Sequence, residues 1–320
     1  MFGVAANVAY GREPCVQIER GYALDLFPSS QADDEPGARS SPGMTFPELA
    51  DELEGEFARP YHSSNLVNVP ARHIGHWRFN DDPLALRIAG VHEFNRSLFV
   101  MLDQAETPAE AVEAFETYFD AAFGIEPEQR ERCGPRRRVR SSYMSLLRGW
   151  GYDSNSPEGA VIKGWVESRF GLLPTHHKEP MSPRAVAVWA AYVAEKMSTR
   201  YHADSIHVQL DLLYEFCQWR FRRFEAGKTH ITLFRGTNEY DETKVIQQID
   251  RRTAVVQFNN VLSFSDDRDI AGCFGNRILE AQVPVTKILF FNALFPRHPL
   301  QAESEHLVIG GEYRVVVRWD

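Results

Sequence analysis

The sequence predicts an α+β protein in which a helical N-terminal region precedes a mostly antiparallel β core. Before Gly227, apolar residues recur at steps of three and four along several segments, which is the spacing of amphipathic helices. After Gly227 the pattern changes to short runs rich in Val, Ile and Phe that are separated by turn residues, as in β-strands. With 320 residues, the chain can bury a large core in one or two domains.

The composition divides the chain into three predicted parts. Residues 28–44 are rich in Ser, Pro, Gly and Asp and bury too little apolar area to offset the entropy lost on ordering. We therefore predict a flexible segment over residues 1–44. Residues 45–227 form a mainly helical region for support and target recognition, and residues 228–320 form the β core.

Several elements have recognisable ends. A capping box at Thr107–Glu110, with Pro108 at the first helical position, predicts a helix that Gly124 stops. Further helices are predicted over Pro47–Phe57, from Ser182 through Val193, and from near Asp204 to Gly227. The predicted strands are His230–Phe234, Ala254–Phe258, Arg277–Val283, Lys287–Phe291, Glu305–Ile309 and Tyr313–Val317.

Composition also excludes some classes of function. The formal net charge of −9 argues against nucleic acid as a partner, because phosphates favour a basic face. The four cysteines lie far apart without metal-ligand spacing, so we expect reduced thiols, a cytoplasmic location and no metal. No run approaches 18 consecutive apolar residues, so no membrane span is expected.

Two polar segments are each open to two interpretations. The loop from His62 to Pro70 either contacts a ligand through His62 and its asparagines or bonds its own turns. The basic run from Arg136 to Arg140 is either a solvated loop or a docking patch for an acidic partner.

Three short signals in the last ninety residues predict a binding pocket for an anionic dinucleotide. Arg235 follows a predicted strand, and its planar guanidinium suits a pyrophosphate, while Gly236 lets a ligand approach the backbone. In Ser263-Phe264-Ser265 the hydroxyls can orient a carboxylate and the ring can stack on a flat ligand, although a plain strand end would look the same.

The third signal is a pair of carboxylates, Glu303 and Glu305. They are two residues apart, so on a strand they point to the same face. One carboxylate can stabilise an oxocarbenium-like sugar, and the other can hold or deprotonate an incoming nucleophile. Standing alone, the pair would be interpreted as an exposed acidic strand start.

In order, these signals resemble the arginine–serine–glutamate class of mono-ADP-ribosyltransferases. Supporting matches are the Ile270–Gly275 segment and the hydrophobic run after Glu305. The His62–Val67 segment and the long helical region resemble, within that class, the bacterial dinitrogenase reductase ADP-ribosyltransferases.

That resemblance implies a split β core that binds NAD, which is consumed as co-substrate. It implies that Glu305 is catalytic, that Glu303 sets arginine specificity, and that Arg235 and Gly236 hold NAD with Ser263, Phe264 and Ser265. It further implies dinitrogenase reductase as the protein substrate, inactivated to regulate nitrogen fixation, and control by a PII-type signalling protein. The alternatives are another intracellular protein target, or a non-catalytic NAD-binding regulatory module.

Overall fold

The computed structural model describes residues 61–123, 142–198, 204–238, 244–295 and 305–319. In these ranges helices come first and a mostly antiparallel sheet follows, which confirms the predicted α+β class. The predicted segments 1–44 and 47–57 lie outside the described residues, and the boundaries near 44 and 227 stay predictions. The described helices are α1 (Ala71–Gly75), α2 (Val91–Phe94), α3 (Arg96–Asp103), α4 (Pro108–Phe123), α5 (Tyr143–Tyr152), α6 (Pro157–Phe170), α7 (Val186–Lys196), α8 (Asp204–Phe224) and α9 (Arg268–Gly272).

Helices α4 and α8 lie where they were predicted, and the predicted stop of α4 at Gly124 lies outside the described residues. The Thr107 hydroxyl accepts a hydrogen bond from the Glu110 amide at 3.2 Å, as a capping box requires. The apolar stripe of α4 is buried, and Phe115 stacks on Phe216 of α8 with ring centroids 4.3 Å apart. These two helices therefore form the helical side of the core.

Other helices differ from the prediction. Helices α5 and α6 were not predicted; α6 is buried on nearly every side, including Lys163, so its sequence shows no alternation of polar and apolar faces. Helix α7 begins at Val186 rather than at Ser182, and only Tyr192 of this helix is buried. Val186 and Val193 are exposed, while Trp189 is partly buried and packs with Tyr192 in a small second core cluster.

The strands form a small hairpin and one larger sheet. The hairpin joins β1 (His176–His177) and β2 (Glu179–Pro180). The order in the larger sheet is β4-β5-β3-β6-β8-β7, and β5 also pairs with β8. Its strands are β3 (His230–Thr237), β4 (Lys244–Gln248), β5 (Thr253–Ser265), β6 (Arg277–Pro284), β7 (Ile288–Phe291) and β8 (Glu305–Trp319).

Strand β8 is one continuous strand, whereas two strands were predicted there. The Gly310-Gly311 pair suggests a turn, but it lies opposite an irregularity in β5 between Phe258 and Val261. A Cβ at Gly310 would overlap the carbonyl oxygen of Asn259. The glycines thus permit close approach of two long strands, and β8 carries its side chains from the cleft end of the sheet into the core.

The sheet opens between β3 and β5. These strands share a single residue pair, Phe234 with Ser265. Strand β3 instead pairs along its whole length with β6. The gap between β3 and β5 provides the site described below. No helix in the described part of the chain is long and apolar enough to cross a bilayer.

Candidate active site

The sheet register brings the three sequence signals together. Phe234 of β3 pairs with Ser265 of β5, and Ser265 pairs with Glu305 of β8. Since side chains alternate along a strand, Ser263 points to the same face as Ser265 and Glu305. Arg235 follows Phe234 directly. The residues singled out on β3, β5 and β8 therefore meet where the sheet opens.

Glu305 is held by a serine hydroxyl. Its side chain is only 6% exposed. Ser263 Oγ donates a short hydrogen bond to Glu305 Oε1. Ser263 Oγ in turn accepts a hydrogen bond of 2.8 Å from the indole nitrogen of Trp150. The carboxylate is thus a buried acceptor with a defined orientation.

Arg235 is tied to the same serine through the backbone. Its Nη1 donates to the Ser263 carbonyl oxygen at 2.8 Å. The guanidinium lines the same cleft as Glu305. A guanidinium carries five donors in a planar fork, which suits a backbone carbonyl as well as phosphate oxygens.

Gly236 was predicted to let a ligand approach the backbone, but in the structure it lets α9 approach β3. A Cβ at this position would overlap the carbonyl oxygen of Ala271 and come within 3.1 Å of the Gly275 amide nitrogen. Glycine at this position therefore makes room for α9 and for the turn that follows it. Gly236 also lines the cleft, so its predicted contact with a ligand stays a prediction.

The two other residues of the serine motif lie on opposite faces. Phe264 is 2% exposed, and its ring packs edge-to-face on Phe258 with centroids 5.7 Å apart. Its ring therefore packs in the core, and because the residue also lines the cleft, its predicted contact with NAD stays a prediction. Ser265 Oγ accepts from the Asp267 amide at 3.1 Å, and Asp267 caps α9. Ser265 thereby sets the turn that brings α9 over β3.

The cleft itself has a volume of about 390 Å³. The residues after Trp150 and the turn after α9 contribute two exposed rings to its lining, Tyr152 (87% exposed) and Phe274 (58% exposed). Neither Trp150 nor Tyr152 was predicted. Ser142 caps α5 by accepting from the Ser145 amide, but a cap does not indicate which side chains line a cleft. The sequence signal that could have identified these two cleft residues is the pair of aromatic residues in Trp150-Gly151-Tyr152.

The remaining predicted features are Glu303, the basic run and the His62–Pro70 loop. Glu303 and the run Arg136–Arg140 lie outside the described residues. In the His62–Pro70 loop, the Asn65 amide donates to the Val69 carbonyl at 2.6 Å, and His62 Nε2 lies 3.4 Å from Glu167. Among these described contacts, the loop bonds its own turn and α6.

Comparisons with known proteins identify the family of the chain. A family model described as dinitrogenase reductase ADP-ribosyltransferase matches residues 64–317. A relative from Rhodospirillum rubrum, named NAD(+)–dinitrogen-reductase ADP-D-ribosyltransferase, is 52% identical over 259 residues, which cover 79% of this chain and 94% of the relative. No solved structure matches the chain. The chain therefore belongs to the dinitrogenase reductase ADP-ribosyltransferase family, as its motifs predict.

Proposed function

We propose that this protein transfers ADP-ribose from NAD to an arginine of dinitrogenase reductase and thereby inactivates it. One observation supports the proposal above the others. Arg235, Ser263 and Glu305 come from three different strands and are joined by hydrogen bonds in a single cleft. The Rhodospirillum rubrum relative, which covers most of the chain, is named for NAD-dependent ADP-ribosyl transfer to dinitrogen reductase.

The cleft suits a dinucleotide. Its volume of about 390 Å³ falls in the range of ligand pockets. Arg235 offers a planar cation for the phosphates. Tyr152 and Phe274 expose flat rings on which the nicotinamide and adenine rings can stack. In this assignment Ser263 and Ser265 position the strand ends. NAD is the co-substrate and is consumed in the reaction.

The reaction breaks the bond between ribose C1′ and the nicotinamide nitrogen. Nicotinamide leaves with the electron pair, and positive charge develops on the ribose. We assign Glu305 to face that charge, because a buried carboxylate held in place stabilises a cation without reorganisation at the moment of reaction. An arginine nitrogen of the target then forms the new bond to C1′.

Glu303 is assigned to the incoming guanidinium, on sequence grounds alone. It is two residues from Glu305 and in an extended chain would point the same way. A carboxylate there attracts the cationic guanidinium and accepts the proton that it loses on forming the new bond. Control by a PII-type signalling protein is proposed from the family resemblance.

The test combines labelled NAD with purified dinitrogenase reductase and, separately, with agmatine. We expect the protein to be labelled on an arginine, as mapped by mass spectrometry, and its electron transfer to stop. Label on agmatine without label on dinitrogenase reductase would instead identify an arginine transferase with another target. Binding of NAD with neither acceptor labelled would reject catalysis in favour of an NAD-binding module.

A further inference from the structure

Trp150 links the helical region to the serine that holds Glu305. It lies in α5, is 4% exposed, and its indole N–H points at Ser263 Oγ over 2.8 Å. We infer that Trp150 is a positioning residue for the reaction: it directs the Ser263 proton onto Glu305. This inference rests on the proposed function, because it assigns a role in orienting the carboxylate that faces the ribose.

The direction of the hydrogen bonds follows from the donors available. An indole nitrogen donates only, so Ser263 Oγ must act as its acceptor. A hydroxyl has one proton, and Ser263 gives that proton to Glu305 Oε1. Without Trp150 the hydroxyl could rotate to other acceptors, or water could take the vacated position. Trp150 thereby selects the single hydroxyl orientation that supports the carboxylate.

Ser263 is also held at its backbone, so the serine is fixed at two points. Arg235 donates to its carbonyl oxygen at 2.8 Å, while Trp150 holds its hydroxyl. The first contact comes from the β core, and the second comes from the helical region. The helical region therefore contributes directly to the geometry of the site.

Trp150 is itself anchored by the corner between α5 and α6. A Cβ on its neighbour Gly149 would overlap the Glu158 side chain, so glycine permits the two helices to approach. Lys163 Nζ lies 6.0 Å from the Trp150 ring centroid, and it donates to Asn155 Oδ1 at 3.1 Å. Because the indole is buried between these neighbours, its N–H has a fixed direction, which a residue that orients Ser263 must have.

The test is a Trp150→Phe variant, which keeps an aromatic ring and removes the donor. Turnover of NAD with agmatine should show a kcat about 10-fold lower, with KM for NAD unchanged, since one oriented hydrogen bond is lost. Trp219→Phe is the matched control, because Trp219 is 6% exposed and donates to Asp103 Oδ1 at 2.9 Å, away from the cleft. The control should keep the wild-type kcat.

A double-mutant cycle separates positioning from folding. Once Ser263→Ala has removed the acceptor, adding Trp150→Phe should lower kcat by less than about 2-fold. An equal loss of kcat in both backgrounds, or a wild-type kcat in the single variant, would overturn the inference while leaving the proposed function intact. A wild-type protein that consumes no NAD would remove the proposed function and the inference with it.

Discussion

At the scale of single residues, the site depends on one buried carboxylate. Glu305 is the first residue of β8 and pairs with Ser265. A carboxylate with so little exposure interacts more strongly with a nearby positive charge than one in water. Its hydrogen bond from Ser263 fixes one oxygen, so the carboxylate is oriented before a ligand binds.

Replacing Glu305 by Gln should abolish most transfer and leave the fold intact. The amide is nearly the same size and its oxygen can still accept from Ser263, but it carries no charge to oppose the ribose cation. We expect the rate to fall roughly 100- to 1000-fold, measured as label transferred to agmatine. Glu280→Gln, on the neighbouring β6, is the control. Wild-type activity in the Glu305 variant would refute the assignment of this residue.

Replacing Arg235 by Lys should weaken NAD binding. Lysine brings a point charge in place of a planar fork, so it cannot hold the Ser263 carbonyl and a phosphate with the same geometry. Calorimetric titration should show an increase in Kd of about 10-fold, corresponding to the loss of about 1.4 kcal/mol. Arg318→Lys, at the far end of β8, should bind NAD normally. Equal affinity in both variants would place the phosphates elsewhere.

At the scale of elements, the packing of α9 against β3 closes one side of the cleft. Gly236→Ala would push a methyl group into the Ala271 backbone, so α9 must move. We expect about 2 kcal/mol of lost stability in urea denaturation together with reduced activity. Gly227→Ala is the comparison: with φ at +89° and open space around it, it should cost about 1 kcal/mol and leave activity unchanged. Similar activity losses in the two variants would argue against a specific role for the α9 contact.

Glu303, two positions before Glu305 in the sequence, should separate two half-reactions. Glu303→Gln should strongly reduce transfer to protein arginine while slow release of nicotinamide to water survives, because water needs less positioning than a cationic guanidinium. Both rates can be measured on one preparation with labelled NAD. Parallel loss of both activities would place Glu303 in the NAD pocket or in the fold instead.

At the scale of the whole molecule, local signals predicted part of the fold. The capping box identified α4 and the spacing of apolar residues identified α8, because both signals act within one helix. Helix α6 escaped prediction because surrounding elements bury it on nearly all sides. The continuity of β8 depends on Asn259, 51 positions before Gly310, and no local pattern carries that information.

In the site, too, local motifs predicted some residues, while other contacts are visible only in the tertiary structure. Arg235, Ser263 and Glu305 were predicted from ordered motifs, and the sheet brings them together. Trp150 reaches Ser263 across 113 positions of sequence, so only the tertiary structure shows the contact. Phe264 was predicted to stack on a ligand. Strand alternation packs its ring on Phe258, and the residue also lines the cleft, so contact with a ligand stays a prediction.

A buried lysine couples the stability of the folded protein to pH. Lys287 is 0% exposed, and its ammonium lies 4.6 Å from the Tyr313 ring centroid and 5.4 Å from that of Phe79. Burial lowers the pKa of Lys287 to about 7, although the charge of Glu312 opposes that shift. In the unfolded chain the same pKa is about 10.4.

The sign of the pH effect follows from these two values. Between pH 7 and about 10 the unfolded chain binds more protons at Lys287 than the folded protein does, so the free energy of unfolding rises with pH. Below pH 7 both states are protonated, and the full cost of burying the charge is present. Stability should therefore increase by roughly 2–3 kcal/mol from pH 6 to pH 9 through this group alone.

Replacing Lys287 by Met should remove that dependence. The variant loses the contacts of the ammonium with the two rings, so its absolute stability depends on how well Met fills the site. The free energy of unfolding of the variant, relative to that of the wild type, should nevertheless rise as the pH falls from 9 to 6. The reason is that only the wild type buries a charge at low pH. Urea denaturation across this range measures the shift, with the half-exposed Lys228→Met as a control that should track the wild type. A constant difference between Lys287→Met and wild type would show that the lysine keeps one protonation state throughout, which would contradict the lowered pKa.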